Sequence, residues 1–398
     1  MAQLADRFAT LPPYPLAHIP QKKRELIARG VDVIDLGAGD ADLDPPAAAI
    51  AALEKAVHTP SMHRYGFGMG LVAYREAVSA FMHERFGQRF DPMTEVVPLI
   101  GSKEGLSHLA FAYLNPGDVA IIPEPGYQAY VGGTLLSDGT PHKVALRPEN
   151  DFLVELDGIP ADVLRRTRML YLNYPNNPTA ACAPREYLER VVARCRNLGI
   201  VLVYDNAYSE LAFDGYVPPS IFEIDGARDC AIEFHSLSKT FNMTGWRCGW
   251  AVAKPEIAGA LSKIKSFVDT GPFMAIQAAG VAALGSWKSF VPGNVATFQA
   301  RRDAAVSAFR GAGFACASPK ATMYLWLPLP DGLPSKLFAE RLMDEEGVVV
   351  LPGSGFGAGG EGFFRVSFIQ SPARIAEAAV RAGRVLASMG AYSESRVG

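Results

Sequence analysis

The sequence predicts an α/β fold: a mainly parallel sheet flanked by helices, with a smaller α+β domain attached. Three observations carry this. Short apolar bursts alternate with helix-like segments from residue 31 to residue 285, the signature of strand–helix–strand units. Beyond residue 285 the pattern changes to longer helices separated by isolated apolar strands. The chain has 398 residues, 49% apolar and 20% charged, which is long for one domain and sufficient for a large core.

In chain order, Val31-Asp32-Val33-Ile34-Asp35-Leu36 reads as a strand ending at Gly37, and Leu71 to Phe86 as an amphipathic helix. Leu106 to Leu114 reads as a helix. Val119-Ala120-Ile121-Ile122 is a short buried strand closed by Pro123 and Pro125. Met169 to Leu172 and Ile200 to Tyr204 are two more, with Arg185 to Leu198 between them at helical periodicity. Ala231 to Phe234 and Cys248 to Val252 extend the sheet. A helix from Val295 to Phe309, a strand over Met323 to Leu327, another helix, a strand from Phe363 to Phe368 and a closing helix follow. The expected division is a large domain over 46–285 and a discontinuous small domain from 1–45 and 286–398.

Composition excludes several functions. A net charge of −3 gives no ground for nucleic acid or an anionic membrane surface as partner. No run approaches the roughly 18 apolar residues of a membrane span, and the first thirty residues lack a signal-peptide stretch. The cysteines at 182, 195, 230, 248 and 316 are odd in number and form no C-x-x-C pair, which predicts reduced thiols and a cytoplasmic protein. The histidines show no metal-ligand spacing, so no metal is expected. Gly37-Ala38-Gly39 is not a dinucleotide loop, because the third glycine position is Asp42. Gly353 to Gly360 lacks the Lys-Ser/Thr of a P-loop and reads as a flexible turn before the next strand.

The chemistry concentrates around Lys239, in Ser236-Leu237-Ser238-Lys239-Thr240-Phe241-Asn242-Met243-Thr244-Gly245-Trp246-Arg247. The amine can link to an aldehyde, while Ser236, Ser238 and the forked donors of Arg247 can hold a phosphate. Asp205 follows the strand Ile200–Tyr204, at the end where open α/β sheets bind ligands. Alone it is better explained as a helix cap; beside Lys239 it suits a cationic ring nitrogen. Gly101-Ser102-Lys103-Glu104-Gly105 precedes a helix and reads as an anion loop or as an ordinary capping turn. The opposite charges of Lys103 and Glu104 can meet a zwitterionic distal group, or form a solvated pair. Arg365 sits mid-strand among apolar residues, where a buried guanidinium needs either a bound carboxylate or a structural ion pair.

Together with Asn173-Tyr174-Pro175-Asn176-Asn177-Pro178-Thr179 and Tyr204-Asp205-Asn206-Ala207-Tyr208-Ser209-Glu210, these segments resemble the class I/II aminotransferases of PLP-dependent transferase fold type I. The resemblance runs from Leu11-Pro12-Pro13-Tyr14 to the C-terminal helix. Within that family the motifs are most similar to the LL-diaminopimelate aminotransferases and close relatives.

The resemblance implies pyridoxal 5′-phosphate as cofactor, linked to Lys239 as the catalytic residue. Asp205 would face the ring nitrogen, with Tyr208 and Asn177 on the ring oxygen. Tyr127 would stack on the ring. Ser102, Lys103, Ser236, Ser238 and Arg247 would hold the phosphate. Gly39, Asn177 and Arg365 would bind the substrate carboxylate. Tyr65, in Arg64-Tyr65-Gly66-Phe67-Gly68, would reach the phosphate of a partner subunit, which implies a homodimer with shared active sites. The expected activity is ping-pong transfer between an amino acid, LL-diaminopimelate first, and 2-oxoglutarate, in lysine biosynthesis. Alanine, aspartate or another amino acid as donor, or a carbon–sulfur β-lyase on the same fold, are the alternatives. Three positions depart from the usual pattern. Ala41 stands in place of proline, Asp44 in place of threonine, and Ala180 in place of glycine after Asn-Pro-Thr. Lys265 to Phe273 contains no arginine to read a side-chain carboxylate, which weighs against strict aspartate specificity.

Overall fold

Strands covered by helices on both faces read as unbroken apolar runs, and a sheet of such strands forms the centre of the molecule. The structure, a computed structural model, describes residues 3–12, 19–67 and 69–394. Pro13, Tyr14 and Gly68 of the quoted motifs lie outside the described residues. The strands in chain order are β1 (Ile34–Asp35), β2 (Val96–Leu99), β3 (Val119–Glu124), β4 (Thr140–Ala145), β5 (Thr167–Asn173) and β6 (Val201–Asp205). They continue with β7 (Ala231–Ser236), β8 (Gly249–Ala253), β9 (Tyr324–Pro328), β10 (Val348–Val349), β11 (Leu351–Pro352) and β12 (Phe363–Ser367). Seven of them form one sheet in the order β2-β8-β7-β6-β5-β3-β4. The sheet is parallel apart from β8, which runs antiparallel to both β2 and β7.

Alternation along each strand divides the apolar residues between two layers. Leu170, Leu172, Leu202 and Tyr204 enter one core, and Met169, Tyr171, Val201 and Val203 the other. The helix Arg185–Leu198 joins β5 to β6 over the expected residues. It buries Tyr187, Leu188, Val191, Val192 and Cys195 along one face and stops at left-handed Gly199. The two edge strands, β2 and β4, are absent from the sequence reading. Pro98 disguises β2, yet an edge strand tolerates a proline. β4 is half-exposed and has no apolar run to betray it.

A second core gathers residues far apart in sequence. Ile34 and Leu36 pack with Phe298, Phe309, Phe338, Phe364 and Ile375. Tyr208, Leu211 and Phe213, from the segment after β6, join them. β11, β12 and β9 form an antiparallel sheet in that order, and β1 pairs in parallel with β10, Ile34 opposite Val348. The strand expected over Val31–Leu36 is confined to the two residues that find this partner. The helix expected from Val295 begins at Trp287 instead and carries Pro292 inside it, a residue that in sequence argues against a helix there. The helix expected over Leu106–Leu114 is two shorter ones, Ser102–His108 and Ala110–Tyr113. The Gly353–Gly360 turn is tied down: Gly126 N–H donates to Phe356 O at 3.1 Å, and Gly359 N–H to Glu124 Oε2 at 3.3 Å.

One buried charge cluster links the elements behind the site. Lys265, on the helix Pro255–Val268, is fully buried. Its ammonium pairs with Glu104 and, at 3.0 Å, with Asp269. His108 Nδ1 lies 3.0 Å from Glu104 Oε2. Burial pushes the Glu104 carboxyl up, but His108, Lys265 and the Ile100 N–H outweigh it and hold the group below its ordinary value. Lys265→Ala strands two half-covered carboxylates beside each other and should destabilise the protein by about 3 kcal/mol. Urea unfolding measures this, and a loss near zero would mean that water already screens the cluster.

Candidate active site

β5 ends in Asn173, β6 in Asp205 and β7 in Ser236, at one edge of the sheet. Period two along β6 turns Asp205 to the same side as Val203, toward the helix Gln128–Leu136. There Tyr130 Oη donates to Asp205 Oδ2 at 2.7 Å, its ring stacked on Tyr171 at 4.8 Å. Among the described residues Asp205 Oδ1 is buried without a hydrogen-bond partner. Burial raises this carboxyl to about 6, against the opposing pull of Tyr130, the Ala207 N–H and His235. An orphaned oxygen on a buried carboxylate suits a cationic N–H of a bound ring.

After β7 the chain turns into the short helix Leu237–Thr240. Ser236 Oγ caps it by accepting the Ser238 N–H at 3.1 Å. Lys239 Nζ donates to the carbonyl of Gly39. Burial lowers the pKa of this amine; Tyr324 and Asp40 oppose the shift, and Arg365 and Arg247 add to it. The uncharged amine is the nucleophilic form. Arg247, in left-handed backbone (φ +55°), donates to Thr244 O at 2.9 Å. Its guanidinium lies against Gly101, where a Cβ would come within 2.3 Å of Nη2 and the backbone has φ +67°, so only glycine fits.

These groups line one cavity of about 550 Å³, which Ser102, Ser236, Ser238, Thr244 and Arg247 share with Asp205 and Lys239. Lys103, Tyr127, Asn177, Tyr208, Gly39 and Arg365 line it as well. Lys103 Nζ sits 5.9 Å from the centre of the Tyr127 ring. Two expectations fare differently. Glu104 faces away into the Lys265 cluster and does not line the cavity, because three donors behind the loop claim its carboxylate. Tyr65 lies outside the cavity of its own chain and is 75% exposed.

A second buried charge lines the same cavity. Arg365, in the middle of β12, is 4% exposed. Nη1 donates to Asn177 Oδ1 and Nη2 to Gly37 O, both at 2.7 Å, while Nε has no partner. Among the described residues no carboxylate pairs with it. Its guanidinium rests on Tyr324, 4.1 Å from the ring centre. Asn177 N–H donates to Asn173 Oδ1 at 2.8 Å, and Asn173 Nδ2 to the backbone O of Asp205 at 2.7 Å, so hydrogen bonds connect Arg365 to the Asp205 backbone. Gly39 is held close: a Cβ there would lie 2.2 Å from Tyr324 Oη.

Tyr130, Thr244, Tyr324 and Phe356 went unrecognised in the sequence. Tyr130 follows Tyr127 by three residues at a helix start, a spacing that could have drawn notice. Tyr324 and Phe356 look like any core aromatic. The orphaned oxygen of Asp205, the buried Lys239 amine and the hydroxyl and guanidinium donors of the cup together fit pyridoxal phosphate.

The family model for aminotransferase class I and II matches residues 31–381. The chain belongs to the class I and II aminotransferases. It is a pyridoxal-phosphate-dependent enzyme that transfers amino groups. This aminotransferase is 46% identical over 377 residues to an LL-diaminopimelate aminotransferase of Desulforudis audaxviator, covering 95% of this chain and 96% of that one. An LL-diaminopimelate aminotransferase of Aquifex aeolicus is 43% identical over 381 residues, with 96% and 98% covered. Among solved structures, substrate-bound BacF from Bacillus subtilis superposes with TM-score 0.92 at 32% identity, covering 96% of this chain and 98% of that one. An aspartate aminotransferase from Thermotoga maritima gives 0.90 at 28%, with 96% and 100% covered.

A group whose folded pKa is raised contributes stability below its unfolded pKa and loses it as pH rises through the folded value. For Asp205 that window runs from 3.8 to about 6. In cofactor-free aminotransferase, Asp205→Asn should therefore raise the melting temperature at pH 8, by the equivalent of about 1–3 kcal/mol. The gain should fade toward pH 5. Thermal melts across this range check it; a pH-independent difference would remove the titrating carboxyl from the explanation.

Proposed function

We propose that this aminotransferase moves an amino group between LL-diaminopimelate and 2-oxoglutarate, as a step of lysine biosynthesis. The observation that carries the reading is Arg365: a buried guanidinium with no carboxylate partner among the described residues, in one cavity with Lys239 and Asp205. Such a group calls for an anionic partner from outside. The relatives named for LL-diaminopimelate support the substrate. Lys103 faces the cavity and Glu104 does not, so the two do not meet a zwitterionic distal group as a pair.

When bound, pyridoxal phosphate supplies an aldehyde carbon that takes up the amino group and a ring that withdraws electrons. Arg365 grips the α-carboxylate, with Gly39 backbone beside it. Asn177 Oδ1 is occupied by Arg365, which leaves Nδ2 to donate to the ring oxygen alongside Tyr208. Asp205 would keep a proton on the ring nitrogen, and Tyr127 would cover the ring face. Lys239 Nζ would take up the proton from the substrate Cα and hold it for return. Ser102, Lys103, Ser236, Ser238 and Arg247 anchor the phosphate. The same steps run backward on the second oxo acid.

We ascribe residues 46–285 to the cofactor-binding domain, and 1–45 with 286–398 to the smaller one. The β1–β10 pairing supports this division. Four buried cysteines and half-buried Cys182, all unpaired, support a cytoplasmic setting. No described helix is long and apolar enough to cross a membrane. A homodimer with shared sites is supported by Tyr65, Phe67 and Phe267, which are 75%, 82% and 85% exposed.

A spectroscopic screen of amino acids against the cofactor-loaded enzyme tests the substrate. LL-diaminopimelate and glutamate should convert the cofactor's absorbance fastest. Alanine or an aromatic amino acid reacting far better would overturn the substrate, and release of pyruvate and ammonia without an oxo acid would indicate a lyase. The shared site has its own test. Mixing inactive Lys239→Ala with Tyr65→Ala, assayed at limiting cofactor, should restore activity on subunit exchange, since one site of each mixed dimer regains both residues. No recovery would mean that Tyr65 does not act across the interface.

A further inference from the structure

We infer that Tyr324 is a positioning residue whose hydroxyl holds Tyr208 as a donor toward the cofactor's ring oxygen, while its ring seats the Arg365 guanidinium. This rests on the reading of Tyr208 and Arg365 above. The two phenol oxygens lie 2.9 Å apart and buried, so they share one hydrogen bond. A phenol has one proton to give and lone pairs to accept with. If Tyr208 donated to Tyr324, it would have no proton left for the ring oxygen. Tyr324 Oη makes no other hydrogen bond among the described residues, so its proton is the one to spend. With Tyr324 as donor, Tyr208 is left to donate into the cavity, and the chain of two hydroxyls polarises that donation.

The backbone holds this arrangement from both sides. Leu211 N–H donates to Tyr208 O at 3.0 Å, and Thr322 N–H to Leu211 O at 2.8 Å. Thr322 Oγ1 accepts the Tyr324 N–H at 3.2 Å. Thr322 is a fully buried β-branched residue at φ +75°, a strained backbone that persists only where its surroundings impose it. Tyr208 comes from the segment after β6 and Tyr324 from β9, so the pair bridges the strand that carries Asp205 and the sheet that carries Arg365. The ring of Tyr324, 4.1 Å under the Arg365 guanidinium, is the second half of the bridge.

Tyr324→Phe keeps the ring and removes the hydroxyl. The readout is the pH titration of visible absorbance in the cofactor-loaded protein without substrate. A less polarised Tyr208 stabilises negative charge on the ring oxygen less well, so the proton at the Lys239 linkage is held more tightly. The midpoint should rise by about half a pH unit, with the KM for glutamate within about threefold of wild type. Tyr324→Leu, which also removes the ring, should raise that KM about tenfold. Tyr208→Phe should raise the midpoint as well, and the double variant Tyr208→Phe/Tyr324→Phe should rise no further. A midpoint unmoved by Tyr324→Phe, or shifts that add in the double variant, would overturn the inference. A midpoint unmoved by Tyr208→Phe would instead overturn the placement of Tyr208 on the ring oxygen.

Discussion

A carboxylate buried at the end of the central strand is costly, and the arrangement around Asp205 follows from that cost. Among the described residues its Oδ2 accepts from Tyr130, and its Oδ1 has no hydrogen-bond partner. The register that sets Asn173 opposite Asp205 lets Asn173 tie down the Asp205 backbone. The alternation that sends Val203 into one core aims the carboxylate at Tyr130. The protein holds a desolvated acid whose unmet oxygen suits a cationic ring nitrogen.

Arg365 is the opposite charge lining the same cavity, equally buried and, among the described residues, with an unpartnered Nε. The two charges come from different sheets. Asp205 belongs to the seven-stranded sheet and Arg365 to the three-stranded one. What joins them is polar: Arg365 to Asn177, Asn177 to Asn173, Asn173 to the Asp205 backbone. A parallel link runs through Tyr324 and Tyr208. A shift of one core relative to the other changes both charges' surroundings at once. The loop carrying Asn177 reaches this position through a turn in which Ala180 takes φ +59°, a conformation in which glycine, usual there in the family, is unstrained.

Legibility differed by position, for physical reasons. The central strands and the helix Arg185–Leu198 stood out because burial on both faces, or on one stripe, leaves a periodic mark. The edge strand β4 escaped, since half-exposed residues carry no such mark. The antiparallel sense of β8 was invisible, because strand direction depends on how the chain returns and not on residue type. Glu104 misled: in sequence it flanks the phosphate loop, but three donors from behind turn it inward.

The sequence by itself determined the chemistry available: a lysine framed by hydroxyls and an arginine, an acid at a strand end, an arginine in an apolar strand. Those are local patterns, and local patterns survive in one dimension. The tertiary structure alone decided which of these groups face one another and which charges go unmatched. Tyr130 reaches Asp205 from a helix 75 positions away. Tyr324 meets Tyr208 across 116, and Arg365 meets Asn177 across 188. Contacts at such separations arise from the packing of two cores, and a buried group's lack of a partner is a property of that packing that no stretch of sequence contains.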